Sequence, residues 1–111
     1  MLEQLIKSYL PMSEASFLVL SSLRKETHGY GIMQDVSRVT GGRVTLGAGT
    51  VYTILYKMEK DKLISVVREE ERRKVYLITS IGEVVLEEEA KRIKQLADVA
   101  DSILDKYVAM L

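Results

Sequence analysis

The sequence has no cysteine and no tryptophan, and among its 111 residues only one histidine, one proline and one phenylalanine. Without cysteine there is no disulfide and no thiolate ligand. With His28 alone, a metal centre would have to rest on carboxylates, and no ligand spacing stands out; neither a metal nor a cofactor is expected. No Ser/His/Asp or Cys/His set can be assembled. The paired carboxylates Glu69–Glu71 and Glu87–Glu89 lie in highly charged stretches, read as solvated, where burial does not tune a pKa. These absences point away from an enzyme.

Long apolar runs are missing too. The longest is Phe17-Leu18-Val19-Leu20, far short of the ~20 residues of a membrane helix. Residues 1–10 carry Glu3 and Lys7 and lack the apolar region of a signal peptide. The expectation is a soluble, cytoplasmic protein, and the lack of cysteine fits a reducing compartment. Excess charge of one sign is absent as well, with 16 basic and 16 acidic residues. That balance hides an asymmetry. Residues 1–79 hold 12 Lys/Arg and 9 Asp/Glu, whereas residues 80–111 hold 4 and 7. A mildly basic body is followed by an acidic segment, and local charge rather than the total steers binding.

What is present reads as one domain with an appended helix. Leu2, Leu5, Ile6, Tyr9 and Leu10 recur at helical spacing ahead of Pro11, predicting a short amphipathic helix over 2–10. Ser13 is placed to cap a second helix running to about Lys25. The segment Thr27-His28-Gly29-Tyr30-Gly31 reads as a break. A third helix follows, with Ile32, Val36 and Val39 on one face, and stops at Gly41-Gly42. Arg43–Leu46 is a short strand or an extended connector. Gly47-Ala48-Gly49-Thr50 opens a fourth helix with Val51, Leu55 and Met58 as its inner stripe. Leu63–Arg68 and Lys74–Thr79 are strand-like, and the charged link Glu69–Arg73 reads as a hairpin tip. A long helix runs from about Ser80 to the end. The fold class is therefore mainly α with a small two-stranded β-wing. Residues 1–79 form a winged helix-turn-helix, and residues 80–111 form a dimerisation helix.

The last helix carries a heptad seam: Leu86, Ala90, Ile93, Ala97, Ala100, Leu104, Tyr107 and Leu111, widened by Val85, Leu96, Ile103 and Met110. From Leu86 to Leu111 it spans roughly 39 Å, more than the preceding domain can cover. Leaving its five large seam residues in water would forgo roughly 7–15 kcal/mol, an upper bound. A second copy of the chain is the expected cover, and folding back on its own domain is the plainer alternative.

A helix-turn-helix needs a second helix whose outer face is small and polar near its start, so that it can enter a major groove. The fourth helix has such a face in Ala48, Thr50, Tyr52, Thr53, Tyr56, Lys57 and Lys60. Threonine hydroxyls bond base edges or phosphates, threonine methyls meet thymine methyls, and Tyr and Lys suit phosphates. Gly47 and Gly49 leave the helix start open to a phosphate, although Gly-Ala-Gly lacks the Lys-Ser/Thr of a nucleotide loop. Arg72, Arg73 and Lys74 at the hairpin suit the minor groove or flanking phosphates; a solvated charge run is the alternative there. Tyr30, between two glycines, is read as a phosphate donor, with a half-buried core position as its alternative.

Three ordered segments carry a family resemblance. His28-Gly29-Tyr30-Gly31-Ile32 resembles the "YGYxI" element of the PadR family of transcription regulators. Gly49-Thr50-Val51-Tyr52-Thr53-Ile54-Leu55-Tyr56-Lys57-Met58-Glu59-Lys60-Asp61-Lys62-Leu63-Ile64 is similar to its "GTLYxxLxxLExxGLI" recognition helix and exit. Arg72-Arg73-Lys74-Val75-Tyr76-Leu77-Ile78-Thr79 resembles its "RRKYYxLT" wing strand, and Gly82 matches a glycine that commonly follows. The resemblance spans residues 13–111. It implies a dimeric repressor, with Tyr30, Thr50, Tyr52, Thr53 and Lys57 at the DNA side and Arg72, Arg73, Lys74 and Tyr76 on the wing. The single final helix is similar to the short subfamily, whose drug-sensing members take flat apolar compounds between subunits; a small apolar effector is thus implied as a partner. Three departures stand out. Lys62 replaces a usual glycine, the wing loop lacks the customary Gly-Gly, and without tryptophan no drug-stacking residue carries over.

The function expected is sequence-specific binding of a pseudo-palindromic operator in double-stranded DNA by a homodimeric, ligand-responsive repressor. The alternative is a protein-interaction module on a winged-helix scaffold that no longer binds DNA.

Overall fold

A computed structural model describes residues 1–110, with side chains through Lys106. Five helices and one hairpin follow in the order α1 (Leu2–Tyr9), α2 (Glu14–Ser22), α3 (Gly29–Val39), α4 (Ala48–Lys60), β1 (Ile64–Glu70), β2 (Arg73–Ile78) and α5 (Ser80–Met110). The core gathers Val19, Leu20 and Leu23 after the start of α2, Ile32 and Val36 of α3, and Val51, Leu55 and Met58 of α4. Leu63, Ile64, Tyr76, Ile78 and the first turns of α5 close it.

Local chemistry sets the ends of these elements. The Ser13 hydroxyl accepts from the Ser16 N–H at 3.1 Å, capping α2. That helix stops at Ser22, short of the expected Lys25, because the sheet takes over the chain. The Leu23 carbonyl accepts from Ile78 N–H at 2.8 Å, and Thr27 exchanges two backbone hydrogen bonds with Tyr76. The glycine pair at 29 and 31 does not interrupt the chain. It lies in the first turn of α3, where His28 is the cap and its Nδ1 accepts from Gly31 N–H at 3.1 Å. The end of α3 matches expectation: Gly41 and Gly42 take φ of 59° and 82°, and Gly42 N–H returns to the Ser37 carbonyl, a Schellman closure. Residues 43–47 form a connector rather than a strand.

α4 closes in the same way without glycine. Lys62 adopts φ 65°, while Leu63 N–H reaches the Met58 carbonyl at 2.9 Å and Lys62 N–H the Glu59 carbonyl at 3.0 Å. The departure at Lys62 therefore leaves the turn intact, with a lysine in a conformation that favours glycine.

The hairpin tip is tighter than the charged link suggested. Glu69 and Glu70 belong to β1, opposite Lys74 and Arg73. Only Glu71 and Arg72 turn the chain, both at positive φ, 48° and 67°, as a primed two-residue turn requires. A bulge at Val67 separates two stretches of ladder.

α5 begins against the exit of α4. The Thr79 hydroxyl donates to the Lys62 and Leu63 carbonyls and accepts from Gly82 N–H. A Cβ at Gly82 would come within 2.1 Å of the Leu63 carbonyl oxygen, so no other residue permits this approach. With 31 residues, α5 is about 46 Å long, nearly the 56 Å of the molecule's longest axis.

Candidate nucleic-acid interface

α3, the turn at residues 40–47 and α4 make the helix-turn-helix, and the hairpin stands beside it as the wing. With Val51, Leu55 and Met58 buried, α4 exposes Ala48, Thr50, Tyr52, Thr53, Tyr56, Lys57 and Lys60. The Thr53 hydroxyl donates back to the Gly49 carbonyl at 2.8 Å, which keeps an acceptor lone pair and the methyl for a ligand. Tyr52 leans onto the first residue of α3: a Cβ on Gly29 would lie 2.6 Å from its hydroxyl oxygen. Tyr30, Tyr52 and Tyr56 are 54%, 51% and 72% exposed, so three phenols stand in solvent on this side. Tyr30 is thereby outside the core.

Two of the expected contacts need revision. Tyr76 is only 5% exposed; its backbone pairs with Thr27 and its ring lies in the core, so it does not face DNA. Burial, helped by the Glu59 carboxylate, pushes its phenol above the ordinary value. Lys57 is exposed, but its ammonium is engaged. It donates to Asp61 Oδ2 at 2.9 Å and lies 4.3 Å from the centre of the Tyr9 ring, an ion pair with a cation–π contact. The Tyr9 hydroxyl donates to the same oxygen at 2.6 Å, and burial first, then Asp61, raises its pKa. Sequence reasoning gave no sign of this cluster, since Tyr9 and Asp61 are joined only by the docking of α1.

On the wing, Arg72, Arg73 and Lys74 are exposed and form no salt bridge among the described residues. Neighbouring cations do. Arg43 pairs with Glu14, Arg68 with Glu26 and Glu70, and Lys25 and Arg38 with Asp35. The glutamates hold the Arg68 guanidinium above its usual pKa. The wing tip thus presents three consecutive cations, Arg72, Arg73 and Lys74, with no carboxylate partner among the described residues, and Lys60 on α4 is open as well. Arg73 reaches back, its Nη1 lying 3.4 Å from His28 Nε2.

Residues 19–88 match the sequence profile of the transcriptional regulator PadR-like family. The chain belongs to that family. It is 28% identical over 94 residues to an uncharacterized protein X of Lysinibacillus sphaericus, covering 81% of this chain and 86% of the other. It is 27% identical over 86 residues to the transcriptional regulator YqjI of Escherichia coli K12, covering 77% of this chain but only 42% of that longer protein. Among solved structures it is similar to a PadR family transcription regulator of Clostridium difficile, at 28% identity and a TM-score of 0.70, covering 83% and 99% of the two chains. The fold of this PadR-like chain is accordingly the DNA-binding winged helix of transcription regulators, and the family's members are regulators rather than enzymes.

α5 of the PadR-like chain changes character along its length. Val85 and Glu89 are fully buried and Leu86 is nearly so. Leu86 therefore serves the chain's own core, which corrects its place in the seam. Glu89 is no solvated carboxylate. It accepts from Met12 N–H at 2.7 Å and from Arg92 Nε and Nη2, and the guanidinium first, then the Met12 N–H, holds it below the usual range against burial. An acid three residues before an arginine was the only sequence signal for this clamp. Beyond it Ile93 is half-buried, and Ala90, Ala97, Ala100 and Leu104 are exposed, as are Leu96, Val99 and Ile103. Tyr107 and Leu111 lie outside the residues whose side chains are described. A cleft of about 530 Å³ between α2 and α5 is lined by Phe17, Ser21, Arg24, Glu83, Leu86, Glu87 and Ala90. Among the described residues no helix is long and apolar enough to cross a membrane.

Proposed function

We propose that the chain is a sequence-specific, ligand-responsive repressor that binds double-stranded DNA as a homodimer. Residues 80–111 join the two copies and residues 1–79 carry the contacts. The reading rests chiefly on α4, whose inner stripe is sealed in the core while its first turns offer small and hydroxyl-bearing side chains to solvent. Ala48, Thr50 and Thr53 meet base edges, and Tyr30 and Tyr52 donate to phosphates. Arg72, Arg73 and Lys74 follow the adjoining groove.

The exposed apolar seam of α5 past Ile93 supports pairing with a second copy. A twofold dimer presents two α4 helices about one DNA turn apart, ~34 Å, and selects a pseudo-palindrome. The α2–α5 cleft, within the roughly 300–1,000 Å³ typical of small-molecule sites, is where an apolar effector lodges. From there it alters the angle between the two DNA-binding halves.

The test is fluorescence anisotropy with a labelled fragment of the gene's own upstream DNA and a shuffled control, at several salt concentrations. Tighter binding to the native fragment, with a steep salt dependence, supports the reading. If selection from random duplexes also enriches nothing, DNA binding is refuted.

A further inference from the structure

The His28–Arg73 contact has donors on both sides. His28 Nδ1 accepts the Gly31 N–H at 3.1 Å as the cap of α3, so in the neutral ring the proton is on Nε2. That N–H lies 3.4 Å from Arg73 Nη1, which is also only a donor. Two donors at this separation do not bond each other; they bracket a position for an acceptor. Glu70 and Glu71 line the same recess. Glu70 is engaged with Arg68 Nε at 2.5 Å, and Glu71 is an exposed residue of the two-residue hairpin turn. Tyr30, two residues along the chain, stands in solvent beside the same helix start.

We propose that His28 Nε2–H and Arg73 together hold one backbone phosphate of bound DNA, clamping it between the start of α3 and the wing. This rests on the DNA-binding reading above. It assigns the single histidine a contact besides capping, and it gives Arg73 a fixed partner that Arg72 lacks. An uncharged imidazole N–H adds a hydrogen bond to a charged acceptor but releases no counterion. The two residues therefore differ in salt dependence although they share a phosphate.

The test uses the full chain and a duplex selected from random DNA by the wild-type protein. His28→Asn keeps a good cap for α3 and loses the distal donor. It is expected to bind about tenfold more weakly, with unchanged thermal stability and an unchanged salt slope. Arg73→Ala is expected to weaken binding and to flatten the slope by about one unit. Combined, the two should cost less than the product of the separate losses, since either one empties the same clamp. His28→Gln, whose amide N–H₂ reaches near the Nε2 position, should recover most of the affinity at some expense in stability. Wild-type affinity in His28→Asn, or strictly multiplicative losses, overturns the clamp while leaving DNA binding standing. Ring resonances of His28 that shift with inorganic phosphate alone would make the recess a free-anion site, and overturn it too. If selection with the wild-type protein enriches no duplex, the DNA-binding reading falls, and the clamp with it.

Discussion

The Tyr52 hydroxyl lies where a side chain on Gly29 would be: a Cβ built there comes within 2.6 Å of it. The first residue of α3 is thus bare so that a tyrosine from α4 can lie across it. Gly29→Ala should displace the exposed end of Tyr52 rather than break the fold, because alanine suits a helix better than glycine. We expect melting within a few degrees of wild type and about tenfold weaker DNA binding, the scale of one hydrogen bond to a phosphate. In a Tyr52→Ala background the same change should be silent. A Gly29→Ala penalty that persists without Tyr52 would show that the glycine acts by another route.

Lys62 occupies a glycine's conformation at φ 65°. A left-handed residue with a Cβ costs roughly 1–2 kcal/mol, partly offset by the freedom that glycine loses on folding. Lys62→Gly should therefore stabilise the chain by about 0.5–1 kcal/mol, raising the urea midpoint with the same m-value. Lys62→Ala keeps the Cβ and should gain little. Equal effects of the two substitutions would trace the change to the lost charge instead.

Two carboxylates tie α1 and its link to the body: Asp61, bonded by Lys57 and Tyr9, and Glu89, bonded by Arg92 and Met12 N–H. Lys57 and then Tyr9 hold Asp61 below its ordinary value, and chiefly Arg92 does so for Glu89. Groups lowered on folding give their stabilisation in full above the unfolded pKa, about 4, and lose it as pH falls through the folded value. Hydrogen exchange of α1 should quicken in that acid window before the core opens. Glu89→Gln should destabilise by about 2 kcal/mol at neutral pH and flatten the acid limb of the stability curve. A variant with the parent's acid profile would remove Glu89 from this role.

The order of elements was legible because periodicity, Ser13, Gly41-Gly42 and the β-branched run before Thr79 all express local preferences. The errors fall where distant contacts override them. α2 stops at Ser22 because β2 claims the Leu23 carbonyl. Gly29 and Gly31 resemble a break, yet they make room for Tyr52 and for the Thr27 side chain inside a helix. Glu71 and Arg72 turn the wing in left-handed conformations that neither residue type advertises. In the candidate interface, α4's outward residues followed from the inner stripe. Tyr76 did not, because Thr27 adds a third, one-residue strand that seals it. The engagement of Lys57 by Tyr9 was illegible for a similar reason, the docking of a helix remote in sequence.

Past Ile93 every α5 residue whose side chain is described is exposed, and Leu96, Val99, Ile103 and Leu104 are each more than half exposed. An isolated helix of that length is marginal in water, so its order in solution should depend on a partner. Substituting Leu104→Asp in a twofold dimer removes two buried leucines at once, about 3–6 kcal/mol, or roughly 10²- to 10⁴-fold in the dimer constant. Sedimentation should show a monomer at concentrations where the parent is dimeric. Far-ultraviolet circular dichroism should show a partial loss of helix that the parent reproduces only on extreme dilution, since the winged helix has its own core. A Leu104→Asp chain that stays dimeric would place the interface elsewhere. One that loses all its helix would mean that the domain itself depends on the seam.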